Sequence, residues 1–188
     1  MKATKVYEWM VPLSEYAAVP ISATLGDAVE ALIQAQKDFI RWKYPHRAIL
    51  VVDANEHVVG KISQTHVLKA LEPKYFEELG IDGDMGIHRL SNYILKTMVD
   101  KYSLFKEPFD EACKRAAQIP IKKIMYTPKE ADYIDKAATL GEAIHRLVVG
   151  CHQSLLVREE AKVIGILRLT DVFCAAAAVM HPDQACSR

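Results

Sequence analysis

The sequence has no net charge and no long hydrophobic run, and its first residues do not resemble a signal peptide. Its 24 Lys and Arg residues balance 24 Asp and Glu residues, so no net field draws the chain to nucleic acid or to an anionic lipid surface. The longest apolar run, 172–180, has nine residues, whereas a helix needs about 20 to span a bilayer. The first residues contain no continuous apolar stretch of the kind that a secretory signal carries. We therefore expect a soluble, cytoplasmic protein without a nucleic-acid or membrane partner.

Chemical motifs are also scarce. The four cysteines include no Cys-x-x-Cys pair and no spacing typical of a disulfide framework. His145, Cys151 and His152 offer three metal ligands at a spacing that common zinc sites do not use. No Ser-His-Asp set, glycine-rich phosphate loop or paired-carboxylate motif is apparent. We therefore predict no metal site, no required cofactor and no catalytic residues, and we do not expect an enzyme.

What the sequence does have is a globular composition and one internal repeat. A content of 51% hydrophobic and 26% charged residues excludes general disorder. Residues 23–29, ATLGDAV, match residues 138–144, ATLGEAI, at an offset of 115. Residues 46–51 match residues 152–157 at an offset of 106. Such a match indicates two copies of one structural unit.

Both copies predict the same order of elements. In each copy a threonine followed three residues later by an acid, Thr24 with Asp27 and Thr139 with Glu142, indicates the start of a helix. β-branched residues beside polar turns predict strands. The predicted strands are 18–21, 48–52, 58–63, 133–135, 154–157 and 163–167, the first helix is 25–40, and the closing helices are 64–71 and 169–180. We therefore predict an α+β fold of two β-α-β-β-α repeats.

The segment between the copies is too long for a simple connection. Apolar residues at helical spacing predict one helix from Ile87 to Tyr102 and a second from Phe109 to Ala117. We divide the chain into a first repeat, a helical insertion, a second repeat and a C-terminal tail, with the bounds 1–71, 72–119, 120–180 and 181–188. Two roles for the insertion stay open: packing on the module or its dimer interface, and docking a partner.

These features resemble a tandem pair of CBS domains, also called a Bateman module. The resemblance rests on Trp9-Met10 and Ile124-Met125 in front of the copies, on the capped Thr-Leu-Gly-acid-Ala helices, and on Gly165 followed six residues later by Asp171. It implies two repeats related by a pseudo-two-fold axis, with two clefts between them. It further implies a stand-alone, homodimeric protein that binds AMP, ADP, ATP or S-adenosylmethionine and controls a partner protein instead of catalysing a reaction.

The resemblance also assigns roles in the second copy. Asp171 stands where the family's aspartate binds ribose, and a carboxylate there can accept hydrogen bonds from both hydroxyls. The alternative is a first-turn carboxylate that complements the helix dipole or pairs with Arg168. Arg168 stands where the family has Ser or Thr facing phosphate. Its guanidinium could bind phosphate, or it could fill the pocket and exclude it.

The first copy departs from the family at the aspartate position and keeps the hydroxyl position. Ser63 keeps the hydroxyl, but His66 replaces the aspartate. His46-Arg47 resembles the pair that contacts nucleotide phosphates in the γ subunit of AMP-activated protein kinase, and the alternative is a solvated segment before a strand. The second copy has His152 at that place.

The candidate ligand residues therefore form two groups. Those expected near ribose or phosphate are Asp171, Arg168, Thr170, Ser63, His66, His46, Arg47 and His152. Those that the resemblance places around adenine, with a core role as the alternative, are Val19, Pro20, Ile21, Leu50, Ile134, Asp135 and Leu156. We also expect four side chains to gather around one anionic group at the N-terminus of a closing helix: His46, Arg47, Ser63 and Arg168.

Two functions follow from this pattern. The leading hypothesis is a regulatory module that senses an adenosine-containing ligand between its repeats and acts on a partner protein. The alternative is a ligand-free dimerisation or interaction scaffold, which the two altered motif positions, His66 and Arg168, favour.

Overall fold

The computed structural model describes residues 4–38, 44–74 and 92–181 of the chain. The strands are β1 Val11–Pro12, β2 Ala18–Pro20, β3 Ala48–Val52, β4 Val58–Ser63, β5 Tyr133–Asp135, β6 Ser154–Glu159 and β7 Lys162–Arg168. The helices are α1 Leu25–Asp38, α2 Gln64–Ala70, α3 Asn92–Tyr102, α4 Phe109–Ala117, α5 Leu140–Val149 and α6 Leu169–Met180. None of the helices described is long and apolar enough to cross a bilayer.

The structure confirms the α+β fold and most of the predicted elements. The main local error is the second hairpin, where the predicted strands 154–157 and 163–167 are too short. β6 and β7 pair as far as Glu159 and Lys162, because Glu160 adopts a φ of 55° and closes a two-residue turn. Strand β2 and helix α2 each end one residue before their predicted bounds. Residues 39–40, 87–91 and 182–188 of the predicted elements lie outside the described part of the chain.

Each repeat forms one sheet, and a pseudo-two-fold axis relates the two. In the first repeat β2 pairs in parallel with β3, and β3 pairs in antiparallel with β4. In the second repeat β5 pairs in parallel with β6, and β6 pairs in antiparallel with β7. The capped helix of each repeat makes the connection that such a parallel pair requires.

The segment in front of each repeat packs on the other repeat. β1 precedes the first repeat but pairs with β7 of the second, where Val11 lies opposite Ile166. Conversely, Tyr126 precedes β5 but pairs with Lys61 in β4 through two backbone hydrogen bonds of 2.9 and 3.0 Å. The two repeats are thus joined by a reciprocal exchange of their leading segments.

Both faces of each sheet are buried. In β3, Ile49 and Val51 belong to the core under the helices of the first repeat, whereas Leu50 faces the other sheet. This alternation follows from the two-residue period of a strand. The two sheets pack face to face through Val11, Tyr16, Leu50, Leu156 and Ile166. Burial on both faces explains the unbroken apolar sequence of β3.

Helix α4 of the insertion is part of the first repeat's core. Its Ala116 is buried among the core side chains of that repeat. The backbone N–H of Leu25 donates to the Ile119 carbonyl at 2.8 Å, just after α4 ends. Gly26 permits this approach, because a Cβ there would lie 3.1 Å from the Ala117 carbonyl oxygen. The packing role for the insertion therefore holds for α4.

The packing of the segment in front of each repeat against the other sheet can be tested at two equivalent glycines, Gly60 in β4 and Gly165 in β7. A Cβ at Gly165 would lie 2.5 Å from the backbone oxygen of Val11, whereas a Cβ at Gly60 would meet the flexible end of Met125. We expect Gly165→Ala to lower the free energy of unfolding by about 2–3 kcal/mol and Gly60→Ala by less than about 1 kcal/mol. Chemical denaturation measures both losses, and equal losses would contradict the constraint from β1.

Candidate functional site

Two clusters of polar side chains lie between the repeats. The Arg168 cluster contains Tyr16, His46, Arg168 and Asp171. The Lys61 cluster contains Lys61, Tyr126, Asp132, His152 and Ser154. Each cluster combines residues from both repeats. Because His46 and His152 hold equivalent positions in the two copies, the clusters correspond to each other across the pseudo-two-fold axis.

In the Arg168 cluster, Arg168 and Asp171 form a buried ion pair. Their exposed fractions are 6% and 1%. The Arg168 Nε donates to both carboxylate oxygens, at 3.0 and 2.9 Å, and the Arg168 backbone N–H donates to Oδ2 at 2.9 Å. Burial raises the pKa of the Asp171 carboxyl, and the hydrogen bonds and charge of Arg168 oppose this shift. Asp171 thus caps α6 and binds Arg168, which is the pairing that the sequence left open as an alternative to ribose binding.

The same guanidinium reaches across to the first repeat. Arg168 Nη1 donates to the backbone carbonyl of Tyr44 at 2.9 Å. Arg168 therefore links the start of α6 to the segment that leads into β3.

His46 is held neutral beside this pair. Its side chain is fully buried, and the edge of its ring contacts Tyr16, with the ring centroids 4.3 Å apart. Burial first, and the Arg168 charge second, lower the pKa of His46 to about 4. Burial also raises the pKa of Tyr16. At neutral pH His46 is therefore an uncharged member of the interface between the repeats.

Of the four side chains expected to gather around one anion, two lie in this cluster: His46 and Arg168. Arg47 is exposed, because neighbouring residues at the start of a strand point to opposite faces. Thr170 is half-buried in the first turn of α6. Ser63 belongs to the cap of another helix.

That cap is formed by Ser63 and His66 at the start of α2. The Ser63 backbone N–H donates to His66 Nδ1 at 3.1 Å, and the Ser63 Oγ lies 2.6 Å from the same nitrogen. His66 is buried. It thus holds in α2 the capping place that Asp171 holds in α6, so both repeats use the predicted ribose position for a helix cap.

The Lys61 cluster centres on a buried lysine between the sheets. Lys61 is 5% exposed and pairs in register with Leu50, which faces the other sheet. Its Nζ donates to Ser154 Oγ of β6 at 3.3 Å and lies 5.7 Å from the ring centroid of Tyr126. The contact with Ser154 joins the sheets of the two repeats.

A buried carboxylate completes this cluster. Asp132 accepts hydrogen bonds from the Tyr126 hydroxyl and the Lys129 backbone N–H, each at 2.7 Å. His152 Nδ1 lies 3.3 Å from the other carboxylate oxygen of Asp132. The cluster therefore holds a cation, an anion and an imidazole around one phenol.

The sequence analysis included His152 but missed the other members of this cluster. The repeat itself carried a signal for two of them. Lys61 stands where the second copy has Ile166, and Tyr126 stands where the first copy has Val11. A charged residue at an interior strand position that is apolar in the other copy indicates a local polar role.

The residues that the resemblance places around adenine differ in their burial. Leu50 and Leu156 are buried between the two sheets, and Val19 and Ile134 are buried in the cores of their repeats. Ile21 packs against the first core, whereas Pro20 and Asp135 are exposed.

Two surface cavities lie away from both clusters. One, of about 500 Å³, is lined by the two hairpin turns, including His57 and Lys162. The other, of about 480 Å³, lies at the end of α4 and includes Arg115 and Lys123. Neither lining includes a residue of the Arg168 or Lys61 cluster.

Comparison with known proteins supports the assignment of the fold. Residues 6–73 match the family model described as CBS domain. The solved structure of CBSX2 in complex with AMP is 19% identical, with 95% of this chain and 99% of that chain covered and a TM-score of 0.57. CBSX2 from Arabidopsis thaliana is 18% identical, with 95% and 98% covered and a TM-score of 0.59.

A third similar structure is an uncharacterized conserved protein from Pyrococcus horikoshii. It is 16% identical, with 94% of this chain and 95% of that chain covered and a TM-score of 0.58. No curated protein matches the chain.

The first repeat is therefore similar to the CBS domain family over residues 6–73. The chain as a whole has the fold of a tandem CBS pair, which confirms the resemblance inferred from the internal repeat.

The burial of His46 predicts a pH dependence of stability. An unfolded histidine titrates near pH 6.5, at about its unperturbed pKa, whereas folded His46 stays neutral down to about pH 4. Since only the unfolded chain binds this proton between those values, the free energy of unfolding falls as the pH drops through this window, by at most about 1.4 kcal/mol per pH unit.

Urea denaturation between pH 7 and pH 4 measures this slope. We expect His46→Gln to remove the His46 component of the slope. His145→Gln is the control, because His145 is an exposed histidine on α5 and belongs to neither cluster, so this variant should keep the His46 component of the slope. A His46→Gln profile parallel to that of the wild type would contradict the prediction.

Proposed function

We propose that this chain is a regulatory module that binds an adenosine-containing ligand between its repeats and passes the resulting change to a partner protein. The CBS-pair fold and the AMP-containing relative support this role. The observation that carries it is the Lys61 cluster, in which Lys61 of the first repeat bonds to Ser154 of the second. A ligand that replaces this contact acts on the relation between the repeats, and differential affinity for two arrangements is what shifts their populations.

The two clusters are not equally suited to a nucleotide. Lys61 supplies a buried cation for phosphate. Asp171, in contrast, already binds Arg168, and separating a buried ion pair costs about 3–5 kcal/mol. We therefore place the ligand at the Lys61 cluster, with AMP, ADP and ATP favoured over S-adenosylmethionine, whose sulfonium carries a positive charge.

A ligand-free scaffold is the second candidate function. The helix caps favour it, because Ser63 with His66 and Arg168 with Asp171 use the motif residues for structure. The binding experiment below separates the two functions.

Isothermal titration with AMP, ADP, ATP and S-adenosylmethionine tests the proposed site. We expect Lys61→Met to weaken nucleotide binding by about 10- to 100-fold, because a hydrogen bond to a charged group contributes about 1.5–3 kcal/mol. Lys162→Met is the matched control, since Lys162 is an exposed lysine at the start of β7, and it should bind as the wild type does. Absence of binding by all four ligands would favour the scaffold.

We also propose that the chain forms a homodimer through the helices of its repeats. In the second repeat α5 and α6 expose Val148 and Phe173. In the first repeat α1 and α2 expose Ile33 and Leu68 at the equivalent positions. Two copies related by a two-fold axis can cover both apolar faces at once.

Light scattering during gel filtration tests the homodimer. We expect Phe173→Asp to shift the mass from dimer to monomer, because a carboxylate cannot be buried without a partner. Phe109→Asp is the control, since Phe109 is also exposed but lies on α4 of the insertion. A shift with Phe109→Asp alone would instead place the interface on the insertion.

A further inference from the structure

We propose that the Arg168 guanidinium is an internal ligand: it occupies the cleft at Asp171, excludes ribose-bearing ligands from it, and limits the chain to one bound nucleotide. The stoichiometry rests on the proposed function, since it takes the Lys61 cluster as the other binding site. The exclusion at Asp171 rests on the geometry of Arg168 alone.

The first step concerns the hydrogen bonds that the Asp171 carboxylate already accepts. A ribose diol would need the two oxygens of this side chain as acceptors. Both accept from Arg168, through the side-chain Nε and Nη2 and through the backbone N–H. The acceptor that would recognise ribose is therefore already bound within the chain.

The second step is the link between the repeats. A ligand in a cleft would contact both walls, and Arg168 does the same, because it binds Asp171 on α6 and the Tyr44 carbonyl before β3. The guanidinium has five N–H donors in a planar fork, which suits this double contact. Arg168 thus makes from inside the chain the connection that a ligand would make from outside.

The third step is the contrast with the first repeat. Ser63 holds the position equivalent to Arg168, and its short side chain stays within the cap of α2. Residue 63 therefore supplies no guanidinium to the equivalent cleft. The two clefts differ because one copy has serine and the other has arginine at the same place.

The neutral state of His46 is consistent with this arrangement. His46 is buried in the same cluster as the guanidinium, and an uncharged ring does not repel it. Among the described residues, the charged and titratable groups that face Arg168 include Asp171 from its own helix and Tyr16 and His46 from the first repeat.

Isothermal titration of the full chain with AMP tests the proposal. We expect one AMP per chain for the wild type and two for Arg168→Ser, which reproduces the serine of the first repeat and releases Asp171. Arg168→Ser with Asp171→Asn should return to one. Arg168→Ser with Lys61→Met should also bind one, now at the opened cleft. Circular dichroism and thermal unfolding confirm that each variant is folded.

The outcomes separate this inference from the proposed function. Two AMP per wild-type chain, or one AMP per folded Arg168→Ser chain, would overturn the inference and leave the Lys61 site standing. No AMP on the wild type and one on Arg168→Ser would support the inference and overturn the Lys61 site. No AMP on either would overturn both. If Arg168→Ser does not fold, Arg168→Ala takes its place, since its methyl group offers Asp171 no side-chain donor; two AMP would support the inference and one would overturn it.

Discussion

The exchange of leading segments is the constraint on which the rest of the structure depends. Val6 completes the hydrophobic core of the second repeat, and Ile121 completes that of the first. Neither repeat can therefore bury its apolar residues without the segment that precedes the other one. Because the exchange holds the two sheets face to face, Arg168 meets the first repeat at Tyr44, and Lys61 meets the second repeat at Ser154. Both polar clusters follow from this single arrangement.

The two clusters show how far pseudo-symmetry can be broken without loss of the fold. Ile166 and Val11 form an apolar contact in one half, and Lys61 and Tyr126 form a polar contact at the same place in the other. At another pair of equivalent positions, the first half has the small side chain of Ser63 and the second half has the large side chain of Arg168. The pairing of β2 with β3 and of β3 with β4 has the same register as that of β5 with β6 and of β6 with β7 up to the hairpin turn, because strand pairing depends on backbone hydrogen bonds. The side chains at these positions make the two polar clusters different.

Much of this fold could be predicted from the sequence, because the signals are local. The capping threonines placed α1 and α5, and β-branched residues placed β3 and β4 with the observed bounds. The exchange could not be predicted, since β1 has only two residues and no local pattern states which sheet a strand joins. The candidate site was only partly predictable for the same reason. Arg168 with Asp171 is a contact within one helical turn, whereas Lys61 with Ser154 spans the two repeats and depends on tertiary packing.

The packing of α4 on α1 has a consequence for the assembly of several chains. Proteins that exchange segments between similar units can also exchange them between molecules, which produces domain-swapped oligomers. Here the hydrogen bond from Leu25 to the carbonyl of Ile119 fixes the chain immediately before Pro120. The segment that follows is thereby delivered to the first repeat of its own molecule, where Ile121 enters the core. Helix α4 of the insertion thus holds the exchanged segment in place on the first repeat.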